Sequence, residues 1–330
     1  MYVPATDRYD TMRFQSAGKS GLKLPLLSLG FWHNFGTDAS YSNMKRMCHT
    51  AFDLGITHFD LANNYGPLPG AAEENLGKIL RDGLSAYRDE LLISTKAGYF
   101  MWDGPYGDHG SRKYLIASLD ASLRRLGLSY VDIFYHHRMD PDTPLEETMT
   151  ALADIVRSGK ALYVGLSNYD GKTMSEAAAI LSELHCPFVI NQNRVSILDR
   201  SIWKNGLLDT ARREGKGVIA FSPLAQGLLT DRYLDGIPED SRVRTDGRFL
   251  REEHLTEDVL GRVRALNALA KERGETLAAM ALAWVLQVEG MTSVLCGASS
   301  PEQIRANARL LSSAPFTKEE LLRIDDIVGA

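Results

Sequence analysis

Short apolar runs alternate with segments of helical periodicity along almost the whole chain. Several of these runs are nearly continuous in apolar residues, which is typical of strands buried on both faces of a parallel sheet. The runs predict eight strands, at residues 26–30, 58–62, 91–96, 131–136, 161–167, 188–193, 217–222 and 292–297.

The segments between the runs repeat apolar residues at intervals of three and four positions, as an amphipathic helix does. This spacing predicts helices over residues 41–54, 111–126, 144–157, 205–214 and 258–273. Eight strands that alternate with helices indicate an α/β fold, the (β/α)8 or TIM barrel. We therefore expect residues 1–330 to form a single barrel domain.

Four further segments lie outside this alternation. Apolar residues at 12–15 and 22–24 flank a glycine-containing turn, which predicts an N-terminal β-hairpin over one end of the barrel. The polar stretch 231–257 predicts a long mobile loop over the barrel mouth. Residues 276–288 are apolar but too few to span a bilayer, so they predict a buried helix, and residues 316–328 predict a C-terminal helix.

Composition narrows the class of protein. The chain is mildly acidic, with a net charge of −5, and it has no basic run, which argues against a nucleic-acid partner. No segment predicts a membrane span or a signal peptide. Three widely spaced cysteines, Cys48, Cys186 and Cys296, predict reduced thiols in a cytoplasmic protein. The sequence leaves open whether the chain forms a homo-oligomer.

Three short motifs suggest other chemistry, and their context argues against each. Residues 215–220 match a dinucleotide-binding G-x-G-x-x-A, but they enter a strand instead of opening a helix. Residues 18–20 match the end of a phosphate-binding loop that lacks its first glycine. His136 and His137 are adjacent on a strand and point to opposite faces, so we predict no metal site there.

Four chemically active side chains stand where predicted strands end. Asp60 lies near the end of the second strand, and Tyr65 follows in the next loop. Lys96 closes the third strand and His137 closes the fourth. Because the carboxyl ends of barrel strands converge on one mouth, we expect an acid, a phenol, an amine and an imidazole in one small volume.

This set suits proton transfer to a carbonyl that accepts a hydride. The ammonium of Lys96 is expected to lower the pKa of the Tyr65 phenol, and Asp60 is expected to keep the lysine charged in a partly dry site. His137 can orient the substrate carbonyl with a hydrogen bond. Each residue alone has an ordinary structural explanation, and their common position favours catalysis.

Dispersed motifs in a fixed order resemble the aldo-keto reductase superfamily over nearly the whole chain. The matching segments are GITHFD at 55–60, NYG at 64–66, EENLG at 73–77, ISTK at 93–96, YVDI at 130–133, GLSN at 165–168, Gln192, FSPLAQGLL at 221–229 and GAS at 297–299. NNYGP at 63–67 and GPYG at 104–107 are similar to the branch that contains bacterial triose-phosphate reductases and the potassium-channel β subunits.

The resemblance implies a catalytic tetrad, with Tyr65 as general acid, Lys96 and Asp60 as its tuning pair, and His137 as the residue that orients the substrate. It also implies NADPH, bound at the barrel mouth without a dinucleotide-binding domain. The β-subunit branch carries Asn at the position of His137, so this histidine favours a working reductase. The expected substrates are small aldehydes, among them L-glyceraldehyde 3-phosphate and methylglyoxal.

Cofactor contacts are implied position by position. Ser167, Asn168 and Gln192 are expected to hold the nicotinamide amide, with Phe221 beside its ring. Arg232 and Arg242 suit a 2′-phosphate, which favours NADPH over NADH. The other implied cofactor-binding residues are Trp32, Asp60, Ser222, Leu224, Gln226, Gly227, Gly297, Ser299, Gln303 and Asn307.

Two departures from relatives qualify the cofactor prediction, and one helix start supports it. Asp231 and Arg232 replace the Gly-Lys pair that relatives often carry, and Asp231 is a repulsive neighbour for a phosphate. Ala306 stands where relatives often have Glu, which removes an adenine contact. Residues 300–302 form a helix start with Pro at its first position, and they are expected to offer free backbone N–H groups to an anion.

The substrate pocket is expected to have an aromatic wall of Trp32, Tyr65, Trp102 and His137, with the loop 99–110 as a lid. Arg138 suits either a substrate phosphate or a structural ion pair. Two other functions stay open: a nicotinamide-binding regulatory subunit with little turnover, and a metal-dependent barrel hydrolase, which the missing H-x-H motif opposes.

Overall fold

Eight parallel strands close into a barrel in the computed structural model, which describes residues 2–234, 236–239, 241–245 and 250–329. Each strand pairs with its neighbour in chain order, and the last strand closes onto the first. An antiparallel hairpin of β1 (Phe14–Ser16) and β2 (Lys23–Pro25) precedes the barrel. The barrel strands are β3 (Leu27–Gly30), β4 (His58–Asp60), β5 (Leu92–Ala97), β6 (Val131–His136), β7 (Ala161–Ser167), β8 (Phe188–Arg194), β9 (Gly217–Phe221) and β10 (Met291–Cys296). The predicted (β/α)8 barrel is confirmed.

Helices surround this barrel and fill the intervals between its strands. In chain order they are α1 (Tyr41–Asp53), α2 (Ala71–Ile79), α3 (Arg112–Leu126), α4 (Leu145–Arg157), α5 (Gly171–Glu183), α6 (Ser201–Lys204), α7 (Leu207–Glu214), α8 (Arg242–Thr245), α9 (Glu257–Glu272), α10 (Leu277–Leu286), α11 (Pro301–Ala308) and α12 (Lys318–Val328). No helix among the described residues is long and apolar enough to cross a membrane.

Helix ends follow local capping chemistry. Ser111 accepts a hydrogen bond from Tyr114 N at the start of α3, and Gly127 ends that helix with φ +68°. Thr317 and Glu320 form a reciprocal capping box that starts α12 at residue 318, two residues later than the apolar spacing predicts. Cap side chains satisfy backbone N–H groups that have no partner inside the helix.

The hairpin closes the end of the barrel opposite the mouth. Ala17 and Leu24 are fully buried and join the apolar cluster inside the barrel. The turn at Gly18 has φ +57°, and a Cβ there would lie 2.1 Å from the carbonyl oxygen of Gly215. Glycine is therefore required by both conformation and space. The predicted hairpin cap is confirmed.

The structure describes residues 231–234, 236–239, 241–245 and 250–257 of the predicted long loop. Its described part contains short helical turns at Asp231–Tyr233, Arg242–Thr245 and Glu252–His254. Tyr233 and Leu250 are buried with Leu228 in a small apolar cluster beside the main core. A few apolar residues thus pack the described part of this charged stretch against the barrel.

Candidate active site

The carboxyl ends of β4, β5 and β6 bring the four predicted side chains together. Asp60 ends β4, Lys96 stands one residue before the end of β5, and His137 directly follows β6. Tyr65 reaches the same place from the loop after β4, where its backbone N donates to Ala62 O and its carbonyl accepts from Ala72 N of α2. We call these four residues the tetrad.

Lys96 is the centre of the tetrad. Its Nζ is fully buried and lies 2.5 Å from Asp60 Oδ2, 2.7 Å from Leu61 O and 3.5 Å from the Tyr65 hydroxyl. An ammonium has three hydrogens to donate, so these three acceptors account for all of them. Because the phenol oxygen accepts from lysine, its own hydrogen is available to a substrate.

The pKa of Tyr65 moves in the direction opposite to the one predicted. Burial raises the pKa of the phenol well above its usual value, and the negative charge of Asp60 acts in the same direction. Asp60 holds the lysine at 2.5 Å, whereas the phenol lies 3.5 Å away, so the lysine charge is largely directed at the carboxylate. Tyr65 therefore stays protonated at neutral pH, in the form that donates.

His137 is neutral at physiological pH. Burial lowers its pKa well below 6.5, and the positive charge of Lys96 adds to the effect. Its ring lies 5.8 Å from the Tyr65 ring and edge-to-face with Tyr99, centroid to centroid 4.6 Å. A neutral imidazole at this place can act as a hydrogen-bond donor through one ring nitrogen.

Three residues were predicted to hold the carboxamide of a nicotinamide. Two of them form hydrogen bonds with residues of the tetrad. Gln192 Nε2 donates to Asp60 Oδ1 at 3.2 Å. Asn168 Nδ2 donates to His137 O at 2.9 Å and to Ser167 Oγ at 3.2 Å. Both amide hydrogens of Asn168 are thus used, and its Oδ1 is the atom that can accept one from a ligand.

The loops after β7 and β9 hold an unusual backbone conformation. Asn168, Ser222, Ala225 and Gln226 have φ between +48° and +61°, and they are four of six such non-glycine residues in the described chain. A non-glycine residue held at positive φ destabilises the fold by about 1–3 kcal/mol, and such residues cluster at ligand sites. Three of the four were predicted as cofactor-binding residues, and Gln226 Nε2 donates to Ser222 Oγ at 3.1 Å.

The rest of the predicted cofactor path lies along the same mouth. Phe221 and Leu224 are half-buried with Gly227, and the guanidinium of Arg194 stands 5.8 Å from the Phe221 ring. Arg232 is exposed in the turn Asp231–Tyr233. The side chain of Arg242 lies outside the described residues, so the structure says nothing of its predicted contact.

The start of α11 differs from the free anion site that its sequence predicts. Ser300 Oγ accepts from Gln303 N, and the Gln303 side chain accepts from the backbone and the hydroxyl of Ser299. The carboxyl of Glu302 has a lowered pKa because it accepts from its own backbone N–H. Side chains therefore already bind the N–H groups at this end. Ser299, Gln303 and Gly297 are exposed, whereas Asn307 is buried.

Of the predicted substrate wall, Tyr65 and His137 are neighbours within the tetrad, and each tryptophan packs on a ring of its own. Trp32 is half-buried beside His33, with ring centroids 3.9 Å apart. Trp102 packs on Tyr114 of α3 at 5.4 Å. Arg138 forms an ion pair with Asp108, 2.8 Å between Nη2 and Oδ1, so the structure favours the structural alternative for this arginine.

The adjacent histidines separate as strand geometry predicts. His136 Nδ1 lies 2.7 Å from the Tyr169 hydroxyl, whereas His137 faces the mouth. Within the described residues, no group of three or more His, Cys, Asp or Glu side chains is placed to hold a metal ion.

Two buried polar residues beside the tetrad were missed in the sequence. Ser94 donates to Asp60 Oδ1 at 2.6 Å, and Glu73 accepts from Thr95 and Arg125 at 2.5 and 2.7 Å. Ser94 stands two positions before Lys96, on the same face of β5. That spacing is the signal that could have identified it.

Comparison with known proteins gives a consistent result. A profile described as the aldo/keto reductase family matches residues 26–328. The chain is 56% identical to L-glyceraldehyde 3-phosphate reductase of Escherichia coli O157:H7, with 100% of this chain and 96% of that protein covered. It is 35% identical to a probable voltage-gated potassium channel subunit beta of Arabidopsis thaliana, over 96% of this chain and 97% of that protein. A crystal structure of a thermostable aldo-keto reductase in complex with the inhibitor epalrestat aligns with a TM-score of 0.74 and 29% identity, over 96% of this chain and 100% of that one. This chain therefore belongs to the aldo-keto reductase family, as its motifs predicted.

Proposed function

We propose that this protein is a cytoplasmic reductase of one barrel domain that converts small aldehydes to alcohols with hydride from NADPH. Its proposed substrates include L-glyceraldehyde 3-phosphate and methylglyoxal. The observation that carries the proposal is the hydrogen bonding of Lys96, whose ammonium is directed at Asp60, Leu61 O and the Tyr65 oxygen. The full-length similarity to L-glyceraldehyde 3-phosphate reductase supports the substrate class.

The chemistry of the mouth fits a nicotinamide cofactor. Asn168 offers Oδ1 as an acceptor beside the tetrad, and a nicotinamide carboxamide supplies N–H donors. Ser167 and Gln192 are buried next to it, and Phe221 can flank an aromatic ring. Ser222, Leu224, Gln226 and Gly227 are the residues that would follow the pyrophosphate.

The proposed mechanism assigns one task to each tetrad residue. Bound NADPH supplies the hydride to the carbonyl carbon. Neutral His137 holds the carbonyl oxygen by a hydrogen bond, and Tyr65 donates its phenolic proton to that oxygen as negative charge develops. Lys96 donates to the phenol oxygen and stabilises the phenolate that remains, while Asp60 fixes Lys96.

The first test is Tyr65→Phe, which removes the proton donor and keeps the ring. We expect kcat for aldehyde reduction to fall about 100-fold or more, because general acid catalysis contributes at least that much. The affinity for NADPH, measured by cofactor fluorescence, should stay unchanged. Tyr163→Phe is the matched control, since Tyr163 lies near the amino end of β7, away from the barrel mouth. Wild-type turnover in Tyr65→Phe would refute the proposed mechanism.

A panel of aldehydes with NADPH and NADH, followed by cofactor absorbance, tests the substrates. We expect turnover of both named aldehydes and a preference for NADPH. The 35% identity to a probable potassium channel subunit beta favours a second candidate, a regulatory subunit that binds the cofactor with little turnover. Tight NADPH binding without turnover of any aldehyde would favour that candidate.

A further inference from the structure

A chain of buried hydrogen bonds runs through the barrel interior to Asp60. Ser293 Oγ of β10 lies 2.7 Å from Ser28 Oγ of β3, which lies 2.9 Å from His58 Nδ1 of β4. His58 Nε2 lies 2.9 Å from Ser94 Oγ of β5, and Ser94 donates to Asp60 Oδ1 at 2.6 Å. We call these four residues, Ser293, Ser28, His58 and Ser94, the polar chain.

The polar chain lies in a place where polar groups are costly. All four members are fully buried, and the barrel interior around them is lined by residues such as Leu92, Ile133 and Ile219. A buried polar group without a hydrogen bond destabilises the fold, so each bond of the chain favours the arrangement in which all its members are paired. A satisfied buried network holds its members in one arrangement.

The carboxylate at one end fixes the direction of every bond. Asp60 accepts, so the Ser94 hydrogen is given to Asp60 and Ser94 Oγ must accept from His58. His58 therefore carries its hydrogen on Nε2, and its Nδ1 accepts from the hydroxyl of Ser28. Burial lowers the pKa of His58 to about 4, which agrees with a neutral ring. Ser28 in turn accepts from Ser293.

This direction makes the chain an orienting device for the tetrad. The two carboxylate oxygens of Asp60 accept from different donors. Oδ2 accepts from Lys96, and Oδ1 accepts from Ser94 and Gln192. If Ser94 turned away, the carboxylate could rotate and take Lys96 with it. The 3.5 Å contact from Lys96 Nζ to the Tyr65 hydroxyl is the longest of the three hydrogen bonds of Lys96, so a displacement of the lysine would weaken it most readily.

We propose that His58, in the neutral form with hydrogen on Nε2, is a positioning residue that acts through Ser94 to fix the carboxylate of Asp60. The proposal rests on the proposed function, because it concerns the proton transfer from Tyr65. His58 touches neither substrate nor cofactor in this scheme. Its effect must therefore appear in kcat and leave cofactor affinity unchanged.

The kinetic test compares variants along the polar chain in the full-length enzyme. His58→Leu and Ser94→Ala are expected to lower kcat about tenfold to 100-fold, since small displacements of catalytic groups cost that much. NADPH affinity should not change. Ser118→Ala, at a buried serine of α3 outside the polar chain, is the matched control and should keep kcat. His58→Gln should restore much of the loss, because an amide can donate to Ser94 and accept from Ser28.

A second measurement is independent of aldehyde reduction. Ring-nitrogen NMR shifts of His58 in the protein without substrate are expected to show a neutral ring protonated on Nε2, with His58→Gln used to assign the signal. A ring protonated on Nδ1 would overturn the proposal even if the enzyme is a reductase. So would wild-type kcat in a folded His58→Leu, or losses of kcat that follow melting temperature equally in Ser94→Ala and Ser118→Ala. A correct tautomer without any aldehyde turnover would instead point to failure of the proposed function.

Discussion

Buried histidines are the residues whose charge the fold controls most strongly. Burial lowers the pKa values of His58 and His136 to about 4, and it lowers that of His137 well below 6.5. The rings of His58 and His136 are fully buried, and His137 is buried beside the mouth, so an imidazolium at any of these positions would be poorly solvated. At neutral pH these rings therefore act as hydrogen-bond donors and acceptors without charge.

This burial makes the protein sensitive to acid. An unfolded chain binds a proton to each histidine near pH 6.5, whereas folded His136 binds one only near pH 4. Between those values the unfolded state holds more protons, so the free energy of unfolding falls by about 1.4 kcal/mol per pH unit for each such residue as pH decreases. Urea unfolding at several pH values measures this slope.

His136→Gln should reduce the slope of unfolding free energy against pH by about 1.4 kcal/mol per pH unit, because glutamine does not bind a proton. An identical slope in His136→Gln and the wild type would show that the histidine does not contribute to acid unfolding.

At the scale of elements, Glu73 joins two helices to the strand that carries Lys96. Its side chain is fully buried on α2 and accepts from Thr95 Oγ1 of β5 and from Arg125 Nε of α3. Thr95 directly precedes Lys96, and the negative charge of Glu73 acts to raise the lysine pKa against the effect of burial. One carboxylate thus supports both the packing and the charge of the tetrad.

Glu73→Gln leaves Arg125 without its counter-charge and should reduce the free energy of unfolding by about 3–5 kcal/mol. Glu74→Gln, one residue further along α2 and exposed, should cost close to nothing. Chemical denaturation of both variants measures the difference. If Arg125→Met in the Glu73→Gln background fails to recover stability, the loss does not come from the unpaired arginine.

The strands and most helices were predictable because the spacing of apolar residues within each segment is a property of that segment alone. Every predicted run contains a barrel strand or most of one, with β4 ending at Asp60 instead of residue 62. The burial of Tyr233 and Leu250 in the predicted loop was not foreseen, because these residues are few among many charges and only contacts distant in sequence show that they are buried.

For the whole molecule, the net charge of −5 contrasts with the cationic cofactor site that the resemblance implies. Ligands that bind only the folded state stabilise it, by about 2.7 kcal/mol at a concentration 100 times Kd. NADPH should therefore raise the melting temperature more than NADH at equal concentration, if a 2′-phosphate is bound. Thermal unfolding with each cofactor measures this.

Arg232→Gln should shrink the stabilisation by NADPH and leave that by NADH as it is, because only NADPH carries the 2′-phosphate. Arg244→Gln is the control from the same segment, since Arg244 is not among the residues expected to contact the cofactor. Equal shifts with both cofactors in the wild type would contradict the proposed preference for NADPH.

The sequence by itself determined the barrel, because alternating apolar periods are local properties that admit few topologies. It also determined which residues meet at the mouth, since Asp60, Lys96 and His137 each lie within one residue of the carboxyl end of a parallel strand. Only the tertiary structure decided how those groups titrate and what supports them. Burial sets the pKa of Tyr65, and side chains cap the backbone N–H groups at the start of α11. The hydrogen bonds from Ser293 to Asp60 join strands that are distant in sequence. No local pattern encodes burial or such distant contacts.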